Sequence, residues 1–336
     1  MSGFPALLKY VAAGGALTAD EAAQAFGAIM AGEVSEARIA ALVTALAVRR
    51  PTVDELAGAV RAMRGAMTSI EANPYAIDLC GTGGDGVGTL NISTACAFVV
   101  AACGVPVAKH GNRSMSSKSG TADCLEALGV NIALSPPQAS RCLREAGLCF
   151  LFAQAYHPAM KYAAPVRKEL GFRTIFNLIG PLSNPARVRR QLVGVYDKEW
   201  CVPLAETLGK LGAERAWVVN GDGMDELATS APSHVAILDG GKVTTREIGP
   251  EDAGLSWSPL SAIAGGTAEE NAAALKRLLD GEAGAYRDIV VLNSAAALVV
   301  GGKADDLREG AKLAAEALDS GAARAKLDRI VAVSNA

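Results

Sequence analysis

Two polar loops, one acidic pair and one arginine carry most of the chemistry this sequence could perform. Cys80-Gly81-Thr82-Gly83-Gly84-Asp85-Gly86 runs on to Gly88 and places five glycines between positions 81 and 88. Glycine has no Cβ, so successive backbone N–H groups can turn inward around an anion. An apolar helix is expected directly after it, over residues 91–103, and its N-terminus adds free N–H groups and partial positive charge. Asn91, Ser93 and Thr94 open that helix and can aim side-chain hydrogen bonds at the same point. The arrangement suits a pyrophosphate, although a plain turn with an Asn or Ser cap would share its composition. It is neither the dinucleotide-binding GxGxxG spacing nor a Walker loop, because no Gly-Lys-Ser/Thr closes it.

The second loop is Lys109-His110-Gly111-Asn112-Arg113-Ser114-Met115-Ser116-Ser117-Lys118-Ser119-Gly120-Thr121-Ala122-Asp123. Three cations, a histidine, an asparagine and several hydroxyls fall between two apolar elements. Asp222-Gly223-Met224-Asp225-Glu226 places adjacent carboxylates after an expected strand. Hard cations such as Mg2+ prefer oxygen ligands of this kind and keep water and substrate phosphates in the rest of their shell. An acidic turn capping a helix would look the same. His157-Pro158-Ala159-Met160 precedes Arg167, whose planar fork suits a carboxylate and equally suits a surface ion pair. His234 lies beside a hairpin, away from these stretches.

The elements that must position these residues alternate. Residues 1–70 read as three or four short helices, with capping-box spacing at Thr18 and Glu21 and helical recurrence of Ala22, Ala25, Phe26 and Ile29. After Asn73-Pro74 the pattern becomes strand and helix in turn. Strands are expected at 75–80, 105–109, 149–153, 191–196 and 215–220, and helices at 91–103, 121–128, 137–146 and 199–211. This is the pattern of an α/β domain with a mainly parallel sheet. Loops at the carboxyl ends of parallel strands gather on one edge, so both polar loops should face one crevice. Residues 161–184 interrupt the alternation with helix broken by prolines. A hairpin is expected at 235–238 and 243–247 across Gly240-Gly241, followed by helices at 268–279, 294–300 and 304–320.

The chain has 336 residues, half of them hydrophobic, and a formal net charge of −3, which gives room for two domains with a buried core. A protein that lives on a nucleic-acid backbone usually carries a basic face, and the overall charge supplies none. Seven cysteines, an odd number without a CxxC pair, read as free thiols in a reducing compartment. No signal pattern opens the chain and no apolar run approaches the roughly 20 residues of a membrane span. A soluble cytoplasmic protein is therefore expected.

Taken together, these stretches resemble the anthranilate phosphoribosyltransferase family. That family's pattern is GTGGD, N-x-S-T, KHGNR with S-K-S-G and S/T-A-D, HPAM-x(6)-R, FN-x-x-GP-x-x-NP and DG-x-DE. It stands here at residues 81–85, 91–94, 109–123, 157–167, 176–185 and 222–226. Thr121 replaces a frequent serine, keeping the hydroxyl, and Ala231 stands where glycine is common.

The resemblance implies a fold of the nucleoside phosphorylase/phosphoribosyltransferase type, similar to glycosyltransferase family 3. Residues 1–70 with 167–190 would form a small all-helical domain carrying dimerisation and the anthranilate side. Residues 71–166 with 191–336 would form the larger α/β domain. It implies transfer of the phosphoribosyl group of phosphoribosyl pyrophosphate (PRPP) to anthranilate in tryptophan biosynthesis, with Mg2+ and a homodimer. PRPP would contact Gly81, Thr82, Gly83, Gly84, Asp85, Thr89, Asn91, Ser93, Thr94, Lys109, Gly111, Asn112 and Thr121. Anthranilate would contact Gly81, His110, Asn112, His157, Arg167, Gly180 and Pro181. Ser93, Asp225 and Glu226 would hold the metal, and Lys109, His110 and Arg167 would serve catalysis. Two other activities fit the same ground less well. A pyrimidine nucleoside phosphorylase of this fold usually carries a Lys-Ser pattern that residues 81–85 lack, and a nucleic-acid-binding relative should be basic.

Overall fold

A computed structural model describes residues 3–113 and 119–336. Residues 114–118 of the second polar loop, including Lys118, lie outside the described residues. Four helices open the chain: α1 (Phe4–Ala12), α2 (Ala19–Met30), α3 (Glu36–Arg49) and α4 (Val53–Ala66). Reciprocal caps start two of them. Thr18 and Glu21 exchange side-chain and backbone hydrogen bonds at 3.0 and 3.3 Å, and Thr52 and Glu55 do the same. A Cβ at Gly58 would fall 2.3 Å from Ala19 O, so α2 and α4 cross nearly backbone to backbone.

The sheet is built from β1 (Ile77–Gly81), β2 (Val107–Gly111), β3 (Leu148–Phe152), β4 (Arg190–Gly194), β5 (Arg215–Gly221), β6 (Ser233–Asp239) and β7 (Lys242–Ile248). Their order is β3-β2-β1-β4-β5-β6-β7. The first five are parallel and the hairpin adds two antiparallel strands. Gly240 and Gly241, both at positive φ, make its two-residue turn. The strand order reverses between β1 and β4, so the ligand crevice of such a sheet opens beyond Gly81 and Gly194, which face each other in register.

Helices connect the strands: α5 (Ile92–Ala102), α6 (Thr121–Ala127), α7 (Pro136–Ala146), α8 (Ala153–Tyr156), α9 (Ala164–Leu170), α10 (Ile175–Ile179) and α11 (Cys201–Lys210). The chain ends in α12 (Ala268–Leu279), α13 (Ala285–Gly301), α14 (Leu307–Asp319) and α15 (Ala322–Ser334). Successive residues of β4 point to opposite faces. Leu192 joins a core with α5, α7 and α12–α15, and Val193 joins a second core with α1–α4, α9, α10 and α11.

Several boundaries differ from expectation. β2 runs from Val107 to Gly111, two residues later at each end than 105–109, so His110 is a buried strand residue rather than the start of a loop. The helix expected at 294–300 begins at Ala285, because Arg287 and Asp288 interrupt the apolar pattern without interrupting the helix. The terminal helix α15 adds to the expected set. Residues 159–182 pack with the N-terminal helices, whereas Val188 packs in the other core and β4 begins at Arg190. The inserted segment thus sits earlier than 167–190. Among the described residues no helix is long and apolar enough to cross a membrane.

Candidate active site

The glycine loop leaves β1 at the reversal point, where it meets the acidic pair. Gly83 N donates to Asp225 Oδ2 at 2.8 Å, and Ser93 N donates to Glu226 Oε1 at 3.1 Å. The loop turns through Gly83, Gly84, Gly86 and Gly88, all at positive φ. A Cβ on Gly81 would lie 2.1 Å from Asp225 Oδ2, and one on Gly194 would lie 1.5 Å from Asp225 O. Gly194 must be glycine for the backbone of the acidic turn to pass, and glycine at 81 leaves room for the Asp225 carboxylate. Asp222, at φ 54, begins that turn, and Ser230 Oγ donates to its carboxylate at 2.7 Å.

Burial and then the charge of Asp85 push the Asp225 carboxyl up to about 6. Burial and then the charge of Asp225 push Glu226 up to about 8. A positive charge placed between these groups would relieve both effects. Among the described residues no set of three or more His, Cys, Asp or Glu stands at metal-ligating spacing. Two carboxylates with a hydroxyl fit Mg2+, which takes oxygen donors and leaves positions for water and phosphate.

Lys109 is 2 % exposed. Its ammonium donates to Leu79 O at 2.5 Å and to Ser93 Oγ at 3.1 Å. It lies beneath the loop and fixes the Ser93 hydroxyl from below. Thr94 and Thr121 hydroxyls are 3.5 Å apart, which brings the two polar loops together. Asn112 is exposed, its Oδ1 accepting from Arg113 N at 2.8 Å. Arg113 itself is taken by Asp123 at 2.6 Å and Glu126 at 2.5 Å, so it does not add to the anion-binding charge expected of this loop.

His110 and His157 meet on the opposite side of β2, with Nε2 atoms 3.2 Å apart. One ring must donate and the other accept, which requires at least one neutral ring. Burial holds His157 down to about 4, and burial, with the charges of His157 and Lys109, holds His110 well below the ordinary histidine value. The backbone of Gly180 bonds to His110, so the Gly180-Pro181 segment adjoins this pair. Arg167, on α9, is half-buried with its guanidinium 5.8 Å from the centre of the Phe176 ring.

Reasoning from sequence overlooks three groups. Asp78, fully buried in β1, accepts from His110 N at 3.0 Å and from Asn184 Nδ2 at 2.7 Å, while that same amide also donates to Ala108 O at 2.8 Å. A carboxylate inside an apolar strand is the available signal. Arg173 donates to Gly84 O and lies 4.0 Å from the centre of the Tyr196 ring, tying the glycine loop to the segment between α9 and α10. Asn271 bonds to Asn91 from α12. No local pattern marks either of the last two.

The helical bundle domain of the glycosyl transferase family matches residues 5–67, and the a/b domain of that family matches residues 73–324. The anthranilate phosphoribosyltransferase of Rhodopseudomonas palustris strain HaA2 is 55% identical over the full length of both chains. That of Parvibaculum lavamentivorans is 56% identical, covering 100% of this chain and 98% of its own. Among solved structures, the anthranilate phosphoribosyltransferase of Thermus thermophilus superposes with TM-score 0.94 at 46% identity, covering 98% of this chain and 99% of that one. The Saccharomyces cerevisiae enzyme in complex with PRPP and Mg superposes with TM-score 0.89 at 26% identity, covering 99% of each chain.

Proposed function

The chain belongs to the anthranilate phosphoribosyltransferase group of the glycosyl transferase family, and from that premise we propose how its residues divide the work. The reaction joins the amine of anthranilate to C1 of the ribose of PRPP, releasing pyrophosphate, in tryptophan biosynthesis. The observation that carries the site assignment is the convergence of the glycine turn, the α5 N-terminus and the Asp225-Glu226 pair on one point through two hydrogen bonds.

PRPP lies against Gly81, Thr82, Gly83, Gly84 and Asp85, with Thr89, Asn91, Ser93 and Thr94 at the loop exit and Gly111, Asn112 and Thr121 across the crevice. Lys109 supplies positive charge from beneath and orients Ser93. Asp225 and Glu226, with Ser93, would hold Mg2+, whose charge would stabilise the leaving diphosphate. The C1–oxygen bond breaks with its electron pair leaving on pyrophosphate, and the amine lone pair forms the C1–nitrogen bond from the opposite face.

An arylamine is unprotonated near neutral pH, so no base is needed before attack. The nitrogen sheds a proton afterwards, and His110 is assigned to accept it or to shape the pocket. Arg167 binds the anthranilate carboxylate, with Asn112, His157, Gly180 and Pro181 forming the rest of that wall. Most of the rate then comes from positioning and charge stabilisation.

The protein acts as a cytoplasmic homodimer paired through the N-terminal helices, where Tyr10 and Val48 leave apolar surface exposed. The test is a fluorescence assay of anthranilate consumption with PRPP and Mg2+ each omitted in turn. Loss of signal change in both omissions is expected. Turnover without PRPP would overturn the assignment.

A further inference from the structure

We propose that Asn271 is a positioning residue for PRPP, setting which end of the Asn91 amide faces the substrate. This rests on the reading of Asn91 as a PRPP contact. Residues 260–266 lie along the exit of the glycine loop. Gly265 N donates to Gly88 O at 2.8 Å, Leu90 N donates to Ile263 O at 2.9 Å, and Thr89 bridges Ala264. A Cβ on Gly265 would lie 2.4 Å from Thr89 O, so nothing separates the two backbones. The chain then enters α12, where Asn271 is buried.

A directional argument follows from what each atom can do. Gly266 N sits 2.8 Å from one end of the Asn271 amide, and a backbone N–H only donates. That end is therefore the oxygen, and the other end is the NH2. This NH2 lies 2.9 Å from the Asn91 amide, whose facing atom must be its oxygen. The amide orientation of Asn91 is thus fixed by the network, and the group left free is its NH2. Tyr286 Oη donates to Asn91 O at 3.2 Å and holds the backbone beneath it. Asn91 stands at the N-cap of α5, without a side-chain capping bond. A pure donor is what the oxygens of a phosphorylated sugar require; turned over, the same amide would present an oxygen to an anion.

The test is steady-state kinetics on the full-length enzyme. Asn271→Asp keeps an acceptor for Gly266 N but sets a second carboxylate oxygen against Asn91 Oδ1, turning that amide over. The PRPP KM should rise about ten-fold or more, as for one lost hydrogen bond to a charged group, while kcat and the anthranilate KM change by less than about three-fold. In the background of Asn91→Ala, Asn271→Asp should add nothing, because Asn271 acts through Asn91. If the buried carboxylate prevents folding, Asn271→Ala runs the same cycle without introducing charge. An unchanged PRPP KM in a folded variant, or additive effects in the double variant, overturns the proposal. A wild-type protein that fails to consume anthranilate with PRPP overturns the functional reading instead.

Discussion

Arg167 has no carboxylate partner among the described residues, and its burial pulls its pKa down. A half-buried guanidinium beside an aromatic ring, without a carboxylate, is disposed to take an anion. Arg167→Ala should raise the anthranilate KM about ten-fold or more, from the loss of charge-assisted hydrogen bonds, with the PRPP KM nearly unchanged. Arg167→Lys should recover little, since an ammonium cannot present the two-pronged fork. An effect confined to PRPP would place this residue on the other substrate.

His157 makes a second prediction at the same scale. Its folded pKa, about 4, lies below the ordinary histidine value of 6.5. Between those values the unfolded chain binds more protons than the folded one, so stability falls as pH drops from about 6.5 to 4. His157→Gln should make melting temperature fall less steeply with acid across that window, removing up to ~3 kcal/mol of destabilisation while the contribution of His110 remains. Parallel curves for variant and wild type would mean that His157 is not held neutral.

Residue types and spacing single out the glycine loop as an anion cradle, whereas the acidic pair and Arg167 stay open to a capping turn and a surface ion pair until the family pattern is matched. Asn271 escapes because an asparagine within a helix reads the same whether it faces water or a partner 180 positions away.

At the scale of elements, the carboxyl ends of β1 and β4 decide whether the acidic turn can reach the glycine loop. Gly194 is a glycine by necessity of space, since its Cβ would overlap the Asp225 carbonyl. Gly83 is a glycine by necessity of backbone angle, at φ 66 with nothing near its Cβ position. The two should respond differently. Gly194→Ala should displace Asp225 and cut kcat/KM by about 100-fold or more, the order of effect of misplacing one charge-stabilising group, and extra Mg2+ should not restore it. Gly83→Ala should cost roughly 1 kcal/mol of stability from left-handed strain, with a smaller loss of activity. If Gly194→Ala kept normal turnover, the close passage of the turn would not matter to the site.

That β1 to β5 exist and belong to a mainly parallel sheet is legible from the alternation of apolar runs, whereas their order across it comes from the structure. The length of α13 and the existence of α15 are not. Arg287 and Asp288 lie within the first turn of α13, where charge near a helix start is ordinary but masks apolar periodicity. In α15 the buried set, Ala323, Leu327, Ile330 and Val333, is separated by charged residues and becomes informative only against the α5 and α7 faces that it covers.

For the whole molecule, closure over the substrates depends on how independent the helical and α/β parts are, and the packing constrains that. The core containing Phe26, Leu42, Val60 and Phe176 continues without a break into Val193, Leu204, Val218 and Leu238 on one sheet face. Helix α4 lies against α11, Lys210 pairs with Asp54 at 2.6 Å, and Arg50 pairs with Glu199 and covers the Trp200 ring. Asn184 holds the end of the inserted segment to β1 and β2 through Asp78 and Ala108. A helical module that shares its core with the sheet should not melt separately from it. Calorimetry should therefore show one transition, with calorimetric and van't Hoff enthalpies equal per cooperative unit. A truncated chain ending before Tyr75 should fail to give a cooperative melt, since Phe26 would lose Phe176, 5.7 Å away between ring centres. Any closure over PRPP and anthranilate must then come from small shifts at the segment 159–182 and the glycine loop rather than from two bodies swinging on a bare linker. Two resolved transitions, or a stable helical fragment, would show that the shared core is a weak contact and restore independent domain motion as the source of closure.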